Sequence, residues 1–279
     1  MASDSRVALV TGGGGAIGGA ICRRLAADGA IVWAADIALD GAERTVADLA
    51  PGAGRAVALD VTDPAAWNEL IDRIEVDDGR LDVLVNNAAT HHQALVEDMD
   101  DASWRRVMST NADGVFYGCR RAVRSMRDRG RGGVIVSIVT GQFGVPYSSA
   151  YTASKFLVQG FSKCLALEVA RHGIRVNTVA PGVVPNTGFE RWYRQKAEIL
   201  GMGYEAFMQS ALDAVPLHAF GRPEDIAEGV AYLVSDAARY VTGHLLDIDG
   251  GFAGYQISLA PEGGWPGDAA GLLPTAPEA

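Results

Sequence analysis

The sequence predicts an α/β fold, a doubly wound parallel sheet with helices on both faces, built as a single domain. Three observations carry that expectation. Short β-rich apolar runs alternate with amphipathic stretches along most of the chain. A glycine-rich turn joins the first run to the first amphipathic stretch. No linker-like segment and no repeat of solenoid period interrupts the alternation before the C-terminal part.

The elements follow in order. RVALV opens as a strand, and AIGGAICRRLAADG follows as a helix, with Ile17, Ala20, Ile21 and Leu25 at helical spacing and Asp28-Gly29 closing it. AIVWAAD, RAVALD, LDVLVNN, GGVIVSIV and IRVNTVA read as further strands. The stretch from about 189 to 216 is helix-forming and rich in aromatics and Met, and reads as a lid-like insertion within a domain spanning 1–253. Residues 254–279 turn to Pro, Gly and Ala, and read as an extension that is partly disordered or packs on a neighbouring subunit.

Composition narrows the function. Among 279 residues, 48% are hydrophobic and 21% charged, an ordinary globular balance. The 24 Lys and Arg against 34 Asp and Glu give a net charge of -10, which repels a polyphosphate backbone and argues against a nucleic-acid partner. The basic run Arg120 to Arg131 reads as a solvated helix face leading into a turn. Cys22, Cys119 and Cys164 are odd in number and set in apolar helix-like contexts, as reduced core residues of a cytoplasmic protein are. No apolar run approaches bilayer length, and MASDSR passes into VALV without the pattern of a signal peptide, so no membrane association is expected.

The clearest motif is TGGGGAIG, Thr11 to Gly18, between a strand and a helix. Glycines there let the backbone turn tightly against a pyrophosphate, which the free N–H groups of the helix N-terminus stabilise. This is a Rossmann-type dinucleotide site, and Asp36 ends the next strand 18 residues after Gly18, where an acid meets the adenosine ribose. A carboxylate there repels a 2′-phosphate, so the expected cofactor is NAD. Tyr151 and Lys155 fall one helical turn apart. A tyrosine of ordinary pKa is a poor base at neutral pH, and a nearby ammonium favours its phenolate.

Together these residues resemble the short-chain dehydrogenase/reductase family, over a span from Val7 to about Gly251. Thr11, Gly12 and Gly18 meet its TGxxxGxG pattern, with Ala16 at the middle glycine; Asn86-Asn87-Ala88-Ala89 is similar to its NNAG, and YTASK matches its YxxxK. The resemblance implies a soluble oxidoreductase that interconverts a secondary alcohol and its ketone, in a homotetramer assembled partly through the helices carrying Asn111 and Tyr151. It implies cofactor contacts from Gly12, Gly14, Gly15, Ala16 and Ile17 in the first turn, with Asp60 and Val61 beside the adenine. Asn87, Ala88 and Ala89, then Pro181, Gly182 and Val184, complete the cofactor walls, and Asn186 or Thr187 shares the nicotinamide carboxamide. Tyr151 is the implied acid/base, Lys155 also holds the nicotinamide ribose, and Asn111 orders a proton-carrying water chain.

The family's serine has no unambiguous counterpart. Counting along the strand VIVSIVT places Thr140 there; counting back from Tyr151 places Ile138 there, with Ser137 adjacent. Strand register is fixed by side-chain alternation whereas loops tolerate deletions, which favours Thr140 while leaving Ser137, or no hydroxyl, open. His91, Gln142 and Trp192 are candidate walls of a small-molecule substrate pocket. The adjacent His91-His92 lacks a metal-type spacing, so no metal is expected. A dinucleotide-binding sensor or scaffold without turnover is the alternative class.

Overall fold

Strand β1, Val7–Thr11, is buried at all five positions, the pattern of a strand covered on both faces. In the computed structural model, which describes residues 5–141, 146–185 and 190–252, it is the third strand, flanked on both sides, of a seven-stranded parallel sheet of order β3-β2-β1-β4-β5-β6-β7. The other strands are β2 (Ile31–Asp36), β3 (Gly54–Ala58), β4 (Val83–Asn86), β5 (Gly133–Ile138), β6 (Ile174–Pro181) and β7 (Leu245–Ile248). The order reverses between β1 and β4, and a crevice opens at the carboxyl ends of the strands there, where ligands bind in such sheets.

Side-chain alternation divides the core into two layers. Val7 and Leu9 of β1 point to one face, with Trp67, Ile71, Met126 and Val158. Ala8 and Val10 point to the other, with Ile21, Leu25, Ile226 and Val230. The first layer is closed by helices α3 (Pro64–Asp78), α5 (Gly114–Arg129) and α6 (Ser149–Val169). The second is closed by α1 (Ala16–Ala27), α2 (Leu39–Ala47) and α9 (Pro223–Val234), α1 packing on α9.

Local signals set the ends of these helices. Asp63 caps α3 by accepting a hydrogen bond from the Ala65 amide at 2.8 Å, Pro64 starts the helix, and Gly79 ends it in the left-handed conformation. Asp100 likewise caps α4 (Asp101–Met108) through the Ser103 amide. Between α4 and α5 one widened π-type turn covers Ser109–Asp113.

Helices α7 (Glu190–Ile199) and α8 (Tyr204–Asp213) form the stretch expected to be lid-like. They build a third, small core from Tyr193, Ala197, Leu200 and Phe207 around Val183, just beyond the end of β6. The predicted residues Gln142, Asn186 and Thr187 and the extension 254–279 lie outside the described residues.

Two details differ from the sequence expectations. The basic face of α5 is only partly solvated: Arg121 bridges Asp72 and Glu75 of α3, and Arg129 pairs with Asp82 at 2.8 Å. A run of arginines beside an acidic helix reaches across to it and covers its own stems in doing so. Cys22 and Cys119 are core residues, whereas Cys164 is exposed on α6. Among the described residues no helix is long and apolar enough to cross a membrane, and no cluster of His, Cys, Asp or Glu has the arrangement of a metal site.

Candidate active site

The turn after β1 is drawn tight by its glycines. Gly12 has φ 64°, and a Cβ on Gly18 would collide with the Gly12 carbonyl oxygen. Gly15 precedes α1 with no side-chain cap, and no acidic residue stands in the first turn, which leaves the first amides of α1 facing the cleft as an anion-binding end. The second turn is tied to the first: Thr11 Oγ1 accepts from the amides of Asn87 (3.0 Å) and Ala88 (3.1 Å), and Asn87 Nδ2 donates to the Thr11 carbonyl at 2.9 Å. Asn87 therefore spends its side chain on holding the two turns together.

A cleft of about 680 Å³ runs along these turns. Gly12, Gly15 to Gly18 and Ala88 line its middle, and Asp36, Asp60 and Val61 line its far end. Asp36 accepts from the Gly14 amide at 3.0 Å and from the Ala38 amide at 3.0 Å, so its carboxylate is aimed at the mouth of the glycine turn. Three features suit a dinucleotide: a glycine cradle that a Cβ would fill, an open helix N-terminus and an acid on the wall of the same cleft.

A second cavity, about 130 Å³, shares Ile17, Asn87 and Ala89 with this cleft and continues it inward. Tyr151, Lys155, Thr140, His91 and Trp192 all line it, as do Pro181, Gly182 and Val184. Tyr151 and Lys155 stand one turn apart on α6. Lys155 Nζ donates to the Ile138 carbonyl at 2.8 Å and lies 5.6 Å from the centre of the Tyr151 ring. Burial pushes the Tyr151 hydroxyl up to about 12 and the Lys155 ammonium down to about 8.

The two candidate hydroxyls separate cleanly. Thr140 is 7% exposed and faces this cavity, whereas Ser137 is 0% exposed, is paired in register with Asn86 and accepts from Asn86 Nδ2 at 3.2 Å. Ser137 faces the layer under α5, where Asn86 Nδ2 also donates to Cys119 Sγ, and it does not line the cavity that holds Tyr151.

Asn111 lies in the widened turn, 0% exposed. Its Oδ1 accepts from the Thr90 amide at 2.8 Å, while its Nδ2 donates to the Thr90 carbonyl (2.9 Å) and to Ser154 Oγ (3.1 Å). Ser154 Oγ donates in turn to the Tyr151 carbonyl at 2.7 Å. The asparagine side chain thus clamps the turn before His91 to the helix that carries Tyr151 and Lys155.

Sequence reasoning missed Tyr193 and Lys196. Tyr193 lines the inner cavity, and Lys196 is 2% exposed with Nζ 5.1 Å from the Trp192 ring centre. The i, i+4 spacing of Trp192 and Lys196 was the available signal. His91 packs its ring 4.7 Å from Tyr151 and edge-on to Trp192 at 5.4 Å. Burial first, then the charges of Lys196 and His92, push it down to about 3, so it is neutral at physiological pH.

Comparison with known proteins adds the following. The family model described as enoyl-(acyl carrier protein) reductase matches residues 14–253. The chain is 36% identical over 267 residues to a 3-alpha-(or 20-beta)-hydroxysteroid dehydrogenase of Mycobacterium tuberculosis, covering 92% of this chain and 96% of that one. It is 36% identical over 254 residues to a 3-oxoacyl-(acyl-carrier-protein) reductase of Thermotoga maritima, covering 90% and 99%. The crystal structure of F189W actinorhodin polyketide ketoreductase with NADPH superposes with a TM-score of 0.85 at 34% identity, covering 91% of this chain and 100% of that one.

Proposed function

Because the chain belongs to the short-chain dehydrogenase/reductase family of oxidoreductases, we propose that it is an NAD-preferring enzyme that interconverts a secondary alcohol and its ketone, with Tyr151 as acid and base. The observation that carries the reading is the convergence of Tyr151, Lys155 and Thr140 on one small cavity continuous with the cofactor-sized cleft. Bound NAD(H) supplies the hydride chemistry. The chain's own groups handle the proton and the geometry.

The Tyr151 hydroxyl, held protonated by burial, is in the state that donates to a carbonyl oxygen during reduction. In the opposite direction the phenol has to accept the carbinol proton. The Lys155 ammonium, anchored on the Ile138 carbonyl, is the fixed charge that favours the phenolate. Thr140 is the hydroxyl that steadies the reacting oxygen, and Asn111 fixes the α6 turn through Ser154. Val139, Val184 and Trp192 line the same cavity and favour an alicyclic, terpenoid or aryl frame.

Preference for NAD rests on the charge at the ribose end, where Asp36 is followed by the apolar Ile37. Exposed Phe116 on α5 and Phe156 and Leu157 on α6 support a homo-oligomer, read with the family as a tetramer. Free thiols at Cys22 and Cys119 suit the cytoplasm. Helix α7, which brings Trp192 and Tyr193 to the cavity, and α8 packed against it are read as its lid.

The test is reduction of NAD+ and NADP+ by the purified protein across sugars, cyclic alcohols, terpenoid alcohols and aryl carbinols, with Tyr151→Phe as control. Turnover with NAD+ that disappears in the control supports the reading. Turnover that persists in Tyr151→Phe removes Tyr151 from the chemistry, and a preference for NADP+ overturns the cofactor assignment.

A further inference from the structure

Two buried nitrogens in the inner cavity are left over once the reacting groups are accounted for. His91 Nε2 and Trp192 Nε1 are closed to solvent and have no hydrogen-bond partner among the described residues. Both side chains line the cavity that holds Tyr151. An indole N–H can only donate, and leaving such a group buried and unpaired is costly enough that folded proteins rarely do so. The two rings stand edge-on at 5.4 Å between centres, so the orphan nitrogens belong to neighbouring side chains of one ligand cavity, which Ser148, its Oγ likewise buried and unpaired, also lines.

Building on the dehydrogenase reading, we propose that His91 and Trp192 recognise a second, non-reacting oxygen of the substrate, so that the enzyme's substrates are ring diols, hydroxyketones or diketones rather than simple mono-alcohols. The chemistry of the two nitrogens selects oxygen. Trp192 Nε1–H donates to either a hydroxyl or a carbonyl. Neutral His91 accepts a hydroxyl proton at Nε2 in one tautomer and donates to a carbonyl in the other. Oxygen has two lone pairs and can meet either nitrogen, whereas an ammonium group would meet the buried positive charge of Lys196 on the Trp192 ring.

The His91 ring centre lies 4.7 Å from that of Tyr151. The two side chains are neighbours in the cavity, so one small substrate can touch both. The proposal also accounts for the placement of α7, whose Trp192 delivers the donor to the cavity.

The experiment separates recognition from turnover. Binding of cyclohexanone, 2-hydroxycyclohexanone and 3-oxocyclohexanecarboxylate is measured by ligand-observed NMR titration on full-length Tyr151→Phe protein with NAD+, then on the same protein carrying Trp192→Phe or His91→Leu, each checked by thermal melting. The hydroxyketone is expected to bind about tenfold or more tightly than cyclohexanone, because the unoxygenated ring leaves both nitrogens unpaired. Trp192→Phe, which keeps an aromatic ring but removes the N–H, is expected to bring the two affinities together. Equal affinities in the starting protein, a preference that survives both substitutions, or tightest binding of the carboxylate each overturn the proposal. Turnover is then read on the enzyme with Tyr151 intact. A binding preference without turnover would sink the dehydrogenase reading and leave the recognition site standing.

Discussion

The ammonium of Lys155 is held by the carbonyl oxygen of Ile138 at 2.8 Å, which ties the α6 helix to the end of β5 at the point where Tyr151 faces the cavity. One side chain therefore supplies a positive charge to the phenol and fixes the distance between helix and strand. Lys155→Met keeps the stem and removes the charge and the bond. Turnover is expected to fall by about 10²- to 10⁴-fold, with a smaller change in NADH affinity, measured by steady-state rates and fluorescence titration. A rate within a few-fold of the native enzyme would show that the charge is not used.

Asp36 is the acid proposed for the ribose end of the cofactor, and the same carboxylate holds two backbone amides. Asp36→Ala removes the negative charge at the ribose end and is expected to raise the ratio of NADP+ to NAD+ efficiency by about tenfold or more. It also leaves the Gly14 and Ala38 amides without their acceptor, at about 1 kcal/mol each. Asp36→Asn keeps an acceptor oxygen and separates the two effects. An unchanged cofactor ratio in both variants would take Asp36 out of the ribose site.

Thr140 and Ser137 make a matched pair of substitutions. Thr140→Val preserves shape and deletes the hydroxyl of a residue that lines the cavity, and kcat/KM is expected to fall by about 10- to 100-fold. Ser137→Ala removes only a partner of Asn86 inside the sheet, and its rate is expected to stay within about twofold, with a loss of about 1 kcal/mol in stability. The reverse pattern would give the role to Ser137.

The buried lysines make stability depend on pH. Lys155 and Lys196 each sit at about 8 in the fold against 10.5 for the exposed side chain, because burial disfavours their charge. Between pH 8 and 10.5 the unfolded chain holds protons that the fold has released, so stability rises with pH across that window. The buried thiols of Cys22 and Cys119, pushed up from 9.0 to about 12, act in the opposite sense above pH 9, as Tyr151 does from pH 10 to 12, because the fold keeps protons that the unfolded chain has lost; up to pH 9.5 the lysines outweigh them. Urea denaturation at pH 7.5 and 9.5 is expected to show a higher midpoint at the upper value, and Lys155→Met to flatten the difference. A midpoint that falls over this interval would contradict the burial of both ammonium groups.

Much of this architecture was legible in residue order, because a strand buried on both faces announces itself as a run such as VALV or VIVSI. Strand β7 was not: Leu245–Ile248 is four residues long and only half buried at the sheet edge, so its apolar run is short and interrupted by Asp247. The cofactor turn was legible because only glycine tolerates its close approaches. The choice between Thr140 and Ser137 was not, since both registers satisfy the same letters and only pairing of Ser137 with Asn86 turns one inward. The support of Asn111 by Thr90 and Ser154 was equally hidden, because those contacts join segments far apart in the chain.

The widened turn at Ser109–Asp113 sets a phase between two jobs of one continuous rod. Each residue of an α-helix advances the side-chain direction by about 100°. Upstream of the turn, Val107 faces inward; within it, Asn111 meets Ser154; downstream, Cys119, Ala122 and Met126 meet the sheet. Deleting one residue here would restore ordinary helix and swing everything after it by that angle, so that either the asparagine or the three core residues would miss their partners. Chain length can therefore vary in the segments on either side of this rod, whereas at the turn itself the count of residues is as fixed as their identity.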